Sequence, residues 1–214
     1  MKIKHIIWDW NGTLLDDCWL CVSAINQTLS NYDMDLIDEI EYKELFCFPV
    51  IEYYLKLGFN FNDEPFSVIG TKFIEFYNLN FHRLKLHDNV LKTLQSVLET
   101  NRTQSILSAG KQSFLTSWVH DHGISDYFID IIGIDNHYAS GKTEVGQRWM
   151  AENNYKSDDV IMVGDTVHDS EVASKIGVDC VLVDKGHVNH RRLKKTGRTV
   201  FNNLEQAWNY INSL

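Results

Sequence analysis

Ile6, Ile7 and Trp8 form an unbroken apolar run that stops on Asp9 and turns through Asn11-Gly12. Short continuous apolar runs closed by polar turn residues read as strands buried on both faces. The same form returns at Val160–Gly164 and Cys180–Val183, and in brief at Thr199–Phe201, while Gln104–Ser108 and Tyr127–Gly133 read as strands interrupted by polar residues. Between these runs the apolar spacing changes to three and four. Val90, Leu91, Leu94, Val97 and Leu98 share one face of a helix predicted over 89–100, with Asp88 as its N-cap. Further helices are predicted over 111–122, 143–153, 167–176 and 204–214, with Gly123 and Gly177 at typical stop positions. Strand and helix alternate from residue 86 onward, which predicts an α/β fold with a doubly wound, mostly parallel sheet covered on both faces.

Residues 17–85 break this rhythm. They hold both prolines, Pro49 and Pro65, and eight of the eleven phenylalanines. Leu20, Ala24 and Leu29, and then Phe66, Ile69, Phe73, Phe76 and Tyr77, recur at helical spacing, so the segment is predicted to be an inserted bundle of amphipathic helices. The expected organisation is a core made of 1–16 and 86–214 with a helical cap over 17–85, hinged near 16 and 86. The cap aromatics are most economically the bundle's own core rather than a stacking platform.

Composition narrows the partners. A chain of 214 residues suffices for one core with a modest insertion. A formal charge of −9 argues against nucleic acid, which needs a cationic footprint. No apolar stretch approaches the ~18 residues of a membrane span, and the three apolar residues before Asp9 are too few for a signal segment. Cys18, Cys21, Cys47 and Cys180 are too scattered for a disulfide framework, so cytoplasmic residence with free thiols is expected. The Cys18/Cys21 pair has no second ligand pair at zinc-site spacing and is read as packing. The basic stretch Lys185–Arg198 carries six Lys and Arg and is read as a solvated surface, or alternatively as a docking site for an anionic substrate tail or partner, since it follows a strand whose carboxyl end faces the crevice.

Candidate chemistry lies at the strand ends. Asp9 closes the first run and Ser108, followed by Ala109-Gly110, closes the second. Lys142 opens a helix after Ser140-Gly141, and Gly164-Asp165 closes a further strand, with Asp169 four residues on. The carboxyl edge of a parallel sheet is where such folds place their ligands. If Asp9, Asp165 and Asp169 converge, charge repulsion calls for a cation. Backbone amides of Ala109 and Gly110 at a helix start would suit an anion.

These four ordered motifs resemble the haloacid dehalogenase superfamily of phosphohydrolases. The insertion after the first motif is similar to the small helical cap of its phosphoglycolate-phosphatase-like branch. The resemblance implies a phosphatase acting on a small phosphorylated substrate, with no nucleic-acid or membrane partner. It implies Asp9 as nucleophile through an aspartyl-phosphate, and Ser108, Ala109, Gly110 and Lys142 on the phosphate. It implies Mg²⁺ on Asp9, the main-chain oxygen of Asn11 and Asp165, with Asp169 as ligand or supporting partner.

Position 11 departs from the family. The phosphatases carry an Asp there that protonates the leaving alkoxide, and an amide cannot do so. The substrate could have a leaving group that needs no proton, or Asp16, Asp17 or His168 could stand in. Alternatively, the protein is a weakly active binder of phosphorylated ligands. A phosphonatase-like C–P hydrolase would instead use a cap lysine, with Lys43, Lys56 and Lys72 as candidates. If the missing acid is the only defect, Asn11→Asp is expected to raise turnover, most of all for alkyl phosphates.

Overall fold

A computed structural model describes residues 3–135 and 141–214; Ser140 lies outside the described residues. The chain begins with β1 (His5–Trp8) and the short β2 (Leu15–Asp16). Four helices follow: α1 (Cys18–Ser30), α2 (Glu39–Leu45), α3 (Val50–Lys56) and α4 (Phe66–Asn80). The chain returns through β3 (Lys85–Leu86) and α5 (Val90–Leu98) to β4 (Thr103–Lys111), α6 (Gln112–Asp121) and β5 (Asp130–Ile134). It then runs through α7 (Lys142–Glu152), β6 (Val160–Gly164), α8 (Val167–Ile176), β7 (Asp179–Val183), α9 (His190–Lys194), β8 (Thr199–Phe201) and α10 (Leu204–Ser213).

The main sheet has the order β5-β4-β1-β6-β7-β8, and each of its pairs is parallel. β1 lies between β4 and β6, where the winding direction reverses, so the chain forms its crevice at the carboxyl end of β1. Side-chain alternation divides the interior in two. Ile6, Trp8, Ile106, Ile161 and Val163 pack on one face together with the inserted helices. Ile7, Leu107, Val160, Met162 and Leu182 pack on the other against Trp149 and Val172. Strands buried on both faces cannot show polar alternation, which explains the unbroken apolar runs.

Helices α1 to α4 fill the segment between β2 and β3. These two strands pair antiparallel, Leu15 with Leu86 and Asp16 with Lys85, so the outgoing and returning chains are joined where they leave the sheet. Among the described residues no helix is long and apolar enough to cross a membrane.

Three local expectations need correction. Asp88 is not the cap of α5; Asn89 holds that place with φ 65 and no side-chain cap bond. β4 runs on to Lys111, with an irregular register between Leu107 and Lys111, so Ala109 and Gly110 lie in the strand and not at a helix start. The third strand begins at Asp130, because Ser125–Tyr127 forms a turn of 3₁₀ helix. In each case a pairing partner or turn beyond the local window sets the boundary.

Candidate active site

The parallel register brings the carboxyl ends of β1, β4 and β6 side by side, and with them Asp9, Ser108 and Asp165. Asp9 anchors its backbone N–H on the Val163 carbonyl at 2.9 Å. Asp165, 0% exposed, follows Gly164, and the first turn of α8 contributes Asp169. Ligand oxygens of Asp9, Asp165 and Asp169 lie within 4.8 Å of one another. Thr13 Oγ lies 3.2 Å from Asp9 Oδ2 and 3.0 Å from Asp165 Oδ1.

Lys142 reaches this cluster from the first turn of α7. Its Nζ donates to Asp9 Oδ1 and to Asp169 Oδ1, each at 2.5 Å, and the side chain is only 2% exposed. The other oxygen of Asp169 accepts from Thr166 N at 2.9 Å and Thr166 Oγ at 2.6 Å, as part of a capping box that starts α8. Asp169 is therefore fixed before it holds the lysine. The His187 N–H donates to Asp165 Oδ2 at 2.6 Å.

Burial and the neighbouring carboxylates shift these groups. Desolvation, with Asp169 and Asp165 nearby, holds the Asp9 carboxyl well above the usual range despite Lys142. Desolvation raises Asp165 to about 6. For Lys142, desolvation acts against the charge, but Asp169 and Asp9 outweigh it and the ammonium is held above its ordinary range. The site is closely built: a Cβ on Gly186 would stand 2.0 Å from Asp165 Oδ2, and one on Gly12 (φ +74) would stand 2.4 Å from the same atom.

A second buried network adjoins the first. Asn11 Nδ2 donates to Asp17 Oδ2 at 2.7 Å and to Tyr77 Oη at 3.0 Å, while Tyr77 donates to the same Asp17 oxygen at 2.8 Å. Asp17 Oδ1 accepts from Gly12 N at 2.8 Å and pairs with His187 Nε2 at 3.1 Å. Tyr42 meets the other nitrogen of His187 at 3.0 Å. Burial alone would raise Asp17, but His187 and the donors from Asn11 and Tyr77 lower it. Burial alone would lower His187, but Asp17 raises it well above its ordinary range. Among the three residues considered as substitutes for an acid at position 11, Asp17 bonds directly to Asn11. Asp16 is exposed and faces His87 at 4.0 Å, and His168 stacks on Phe48 at 4.4 Å.

Asp9, Asn11, Ser108, Ala109, Gly110, Lys142 and Asp169 all line one cavity of about 320 Å³ between the sheet edge and the inserted helices. Ser108 is buried and its Oγ accepts from Gly110 N at 2.9 Å. Lys43, Lys56 and Lys72 do not line the cavity; they bond to Glu39, Cys47, and Tyr32 with Glu64, respectively.

His187, Tyr42 and Tyr77 were missed by sequence reasoning. His187 belongs to the stretch read as solvated surface, yet it is 4% exposed. Its position after Gly186 at the carboxyl end of β7 was the available signal, since that edge faces the crevice. Tyr42 and Tyr77 fall on helical repeats that cannot be told from ordinary core positions.

The family model described as haloacid dehalogenase-like hydrolase matches residues 6–183. A phosphoglycolate phosphatase of Vibrio vulnificus is 24% identical over 185 residues, covering 82% of this chain and 81% of the relative. A pyrophosphatase, PpaX, of Oceanobacillus iheyensis is 25% identical over 194 residues, covering 86% and 84%. Among solved structures, a predicted phosphatase from Clostridium acetobutylicum superimposes with a TM-score of 0.85 at 20% identity over 100% of both chains. A haloacid dehalogenase-like hydrolase from Streptococcus pneumoniae gives 0.84 at 16% identity over 98% of both. These structures share the fold, and the family match spans the strand ends that carry Asp9, Ser108 and Asp165: the chain belongs to the haloacid dehalogenase-like hydrolase family.

Proposed function

We propose that the chain is a Mg²⁺-dependent phosphatase that hydrolyses a small phosphorylated metabolite through an aspartyl-phosphate on Asp9. Residues 17–85 act as a cap over a core of 1–16 and 86–214. The observation that carries this reading is the buried convergence of Asp9, Asp165 and Asp169, with the ammonium of Lys142 paired to Asp9 and Asp169. Three ionised carboxylates against the one ammonium bonded to them would leave net negative charge in a buried site, and the donors are all hard oxygens. That set fits a divalent cation such as Mg²⁺. Asp9, Asp165 and the main-chain oxygen of Asn11 would hold it, with Asp169 in support, and it would neutralise the phosphoryl charge.

The remaining chemistry belongs to the chain. Asp9 attacks phosphorus, and the bond from phosphorus to the leaving oxygen breaks with its electron pair on that oxygen. Water then attacks the phosphorus of the acyl phosphate, which returns the Asp9 carboxylate and releases phosphate. Lys142 offsets the charge of both states, and Ser108 with the amides of Ala109 and Gly110 would orient the phosphoryl oxygens. The phosphoglycolate phosphatase and pyrophosphatase relatives agree on phosphate release while differing in the group released. The free cysteines fit a reducing, cytoplasmic compartment.

The test is phosphate release from a panel of phosphate esters and anhydrides. Turnover should need Mg²⁺, stop with EDTA, and fall to background in Asp9→Asn, a nearly isosteric change that leaves the fold intact by circular dichroism. Turnover in EDTA at the full rate would overturn the reading.

A further inference from the structure

We propose that the preferred substrates are aryl phosphates, esters whose leaving group is a phenol-type oxygen on an aromatic ring; this rests on the phosphatase reading above. Two independent observations point there. The first is the wall of the cavity. Above the acidic floor it is lined by Phe46, Phe48, Phe73, Phe114 and Trp118, each only half-buried, so their rings leave apolar area for a ligand to cover. The rings are preset: Phe114 stacks on Trp118 at 5.7 Å and 18°, Phe73 on Tyr77 at 6.1 Å and 14°, and Phe48 on His168 at 4.4 Å and 24°. Tyr53 and Tyr54, which also line the cavity, are fully buried in the bundle core that the sequence led us to expect, and Phe46, Phe73 and Trp118 pack against that core while staying partly exposed. An aromatic leaving group would gain both apolar burial and ring-to-ring contact.

The second observation is Asn11. It borders the cavity two residues from Asp9, and a carboxamide there cannot supply a proton. Both its amide protons are committed, to Asp17 and to Tyr77. Asp17 cannot serve from behind, because its oxygens already accept from Gly12, Asn11 and Tyr77 and pair with His187. His168, the other stand-in that lines the cavity, has its ring stacked on Phe48, and on this reading a leaving oxygen departs as the anion. A phenolate, whose conjugate acid has a pKa of about 10, does so far more readily than an alkoxide. In the transfer to Asp9 the P–O(aryl) bond breaks with its pair on the phenolate oxygen, which takes its proton from solvent after release.

The experiment compares kcat/KM for 1-naphthyl phosphate, phenyl phosphate, glycerol phosphate, phosphoglycolate, pyrophosphate and acetyl phosphate, with Asp9→Asn as background. The aryl esters should exceed glycerol phosphate and phosphoglycolate by ~100-fold or more, in keeping with the usual worth of general acid catalysis. Phe73→Ala and Phe48→Ala should raise KM for 1-naphthyl phosphate ~10-fold more than for acetyl phosphate, which needs no proton but has no ring; Phe73→Leu should fall between. Asp9-dependent turnover with phosphoglycolate, glycerol phosphate or pyrophosphate equal to or above the aryl esters would overturn this inference and leave the phosphatase reading intact. Absence of Asp9-dependent turnover on every substrate would overturn the phosphatase reading itself. Calorimetry of phenylphosphonate against methylphosphonate then decides whether the cavity selects a ring: tighter binding of the aryl compound supports that selection, and equal binding overturns it.

Discussion

Asn11 ties the strand that ends at Asp9 to the inserted helices, because its one amide group serves Asp17 and the α4 residue Tyr77 together. A carboxylate at position 11 could not donate either bond and would face Asp17 across 2.7 Å in a site where Asp17 is 0% exposed. Like charges so close cannot both ionise without large cost. Asn11→Asp alone is therefore expected to lower kcat/KM on every substrate and to lower the melting temperature, against the gain predicted from the sequence. The double variant Asn11→Asp with Asp17→Asn, which restores a donor opposite the new acid, should recover stability and favour alkyl phosphates. A rise in turnover with the single variant alone would show that the network does not constrain position 11.

His5 gives a residue-scale prediction of another kind. Its ring lies between Trp149 and Tyr155, 4.8 Å from each, and desolvation lowers it to about 3. An unfolded histidine titrates near ~6.5, so between these values the unfolded chain binds the extra proton and stability falls as pH falls. The contribution is fully present above pH ~6.5 and is lost progressively toward pH ~3. His5→Phe should flatten the dependence of the urea midpoint on pH between 7 and 5, compared with the parent.

At the scale of elements, one helix start serves two purposes. Thr166 Oγ caps α8 through Asp169 N and also donates to the Asp169 carboxylate, which in turn holds Lys142. Thr166→Ala should cost about 1 kcal/mol of stability, the usual worth of such a cap. It should also weaken Mg²⁺ binding, read by titration calorimetry, because Asp169 and Lys142 lose their orientation. Thr166→Ser should restore both. The unexpected length of β4 belongs here as well: pairing of Lys111 with Ile134 of β5 continues the strand where local periodicity predicts a helix.

Across the whole molecule, the insertion is joined to the core at more than its two crossings. Asn189 Nδ2 and Arg192 Nη1 donate to the Lys43 carbonyl of α2, at 3.3 and 2.8 Å, and Arg191 pairs with Glu44 at 2.8 Å. The basic stretch read as solvated surface thus includes a clasp on the insertion. Exposed ion pairs are worth little, about 0–1 kcal/mol. The double variant Arg191→Ala/Arg192→Ala, which spares Asn189 as the N-cap of α9, should accordingly leave the melting temperature within about 2–4 °C. It should nevertheless speed proteolytic cutting within 30–65, because release of α2 needs only a local opening. Unchanged cutting would show that Tyr42–His187 and Asn11–Tyr77 hold the insertion without the clasp.

The sequence by itself located the central strands, though not the end of β4, the start of β5 or the short β2 and β3, because a strand buried on both faces must be apolar throughout, as Val160–Gly164 is in pattern and in structure. It also determined which carboxylates stand at strand ends, since Asp9 and Asp165 follow directly from where those runs stop. The helix of 167–176 with Gly177 beyond it was equally legible, because its stop depends on a residue that adopts φ 80 without strain. Tertiary structure alone decided what Asn11 does, because its partners Asp17, Tyr77 and, through Asp17, His187 come from three separate stretches of chain. It also decided that Phe46, Phe48, Phe73, Phe114 and Trp118 would line the cavity as well as pack on neighbouring rings, for periodicity states that a side is covered without stating by what. Where an apolar run stops on a carboxylate is a property of local pattern, whereas hydrogen-bond partners across 60 or more residues follow from packing, and only the folded chain brings them within 3 Å.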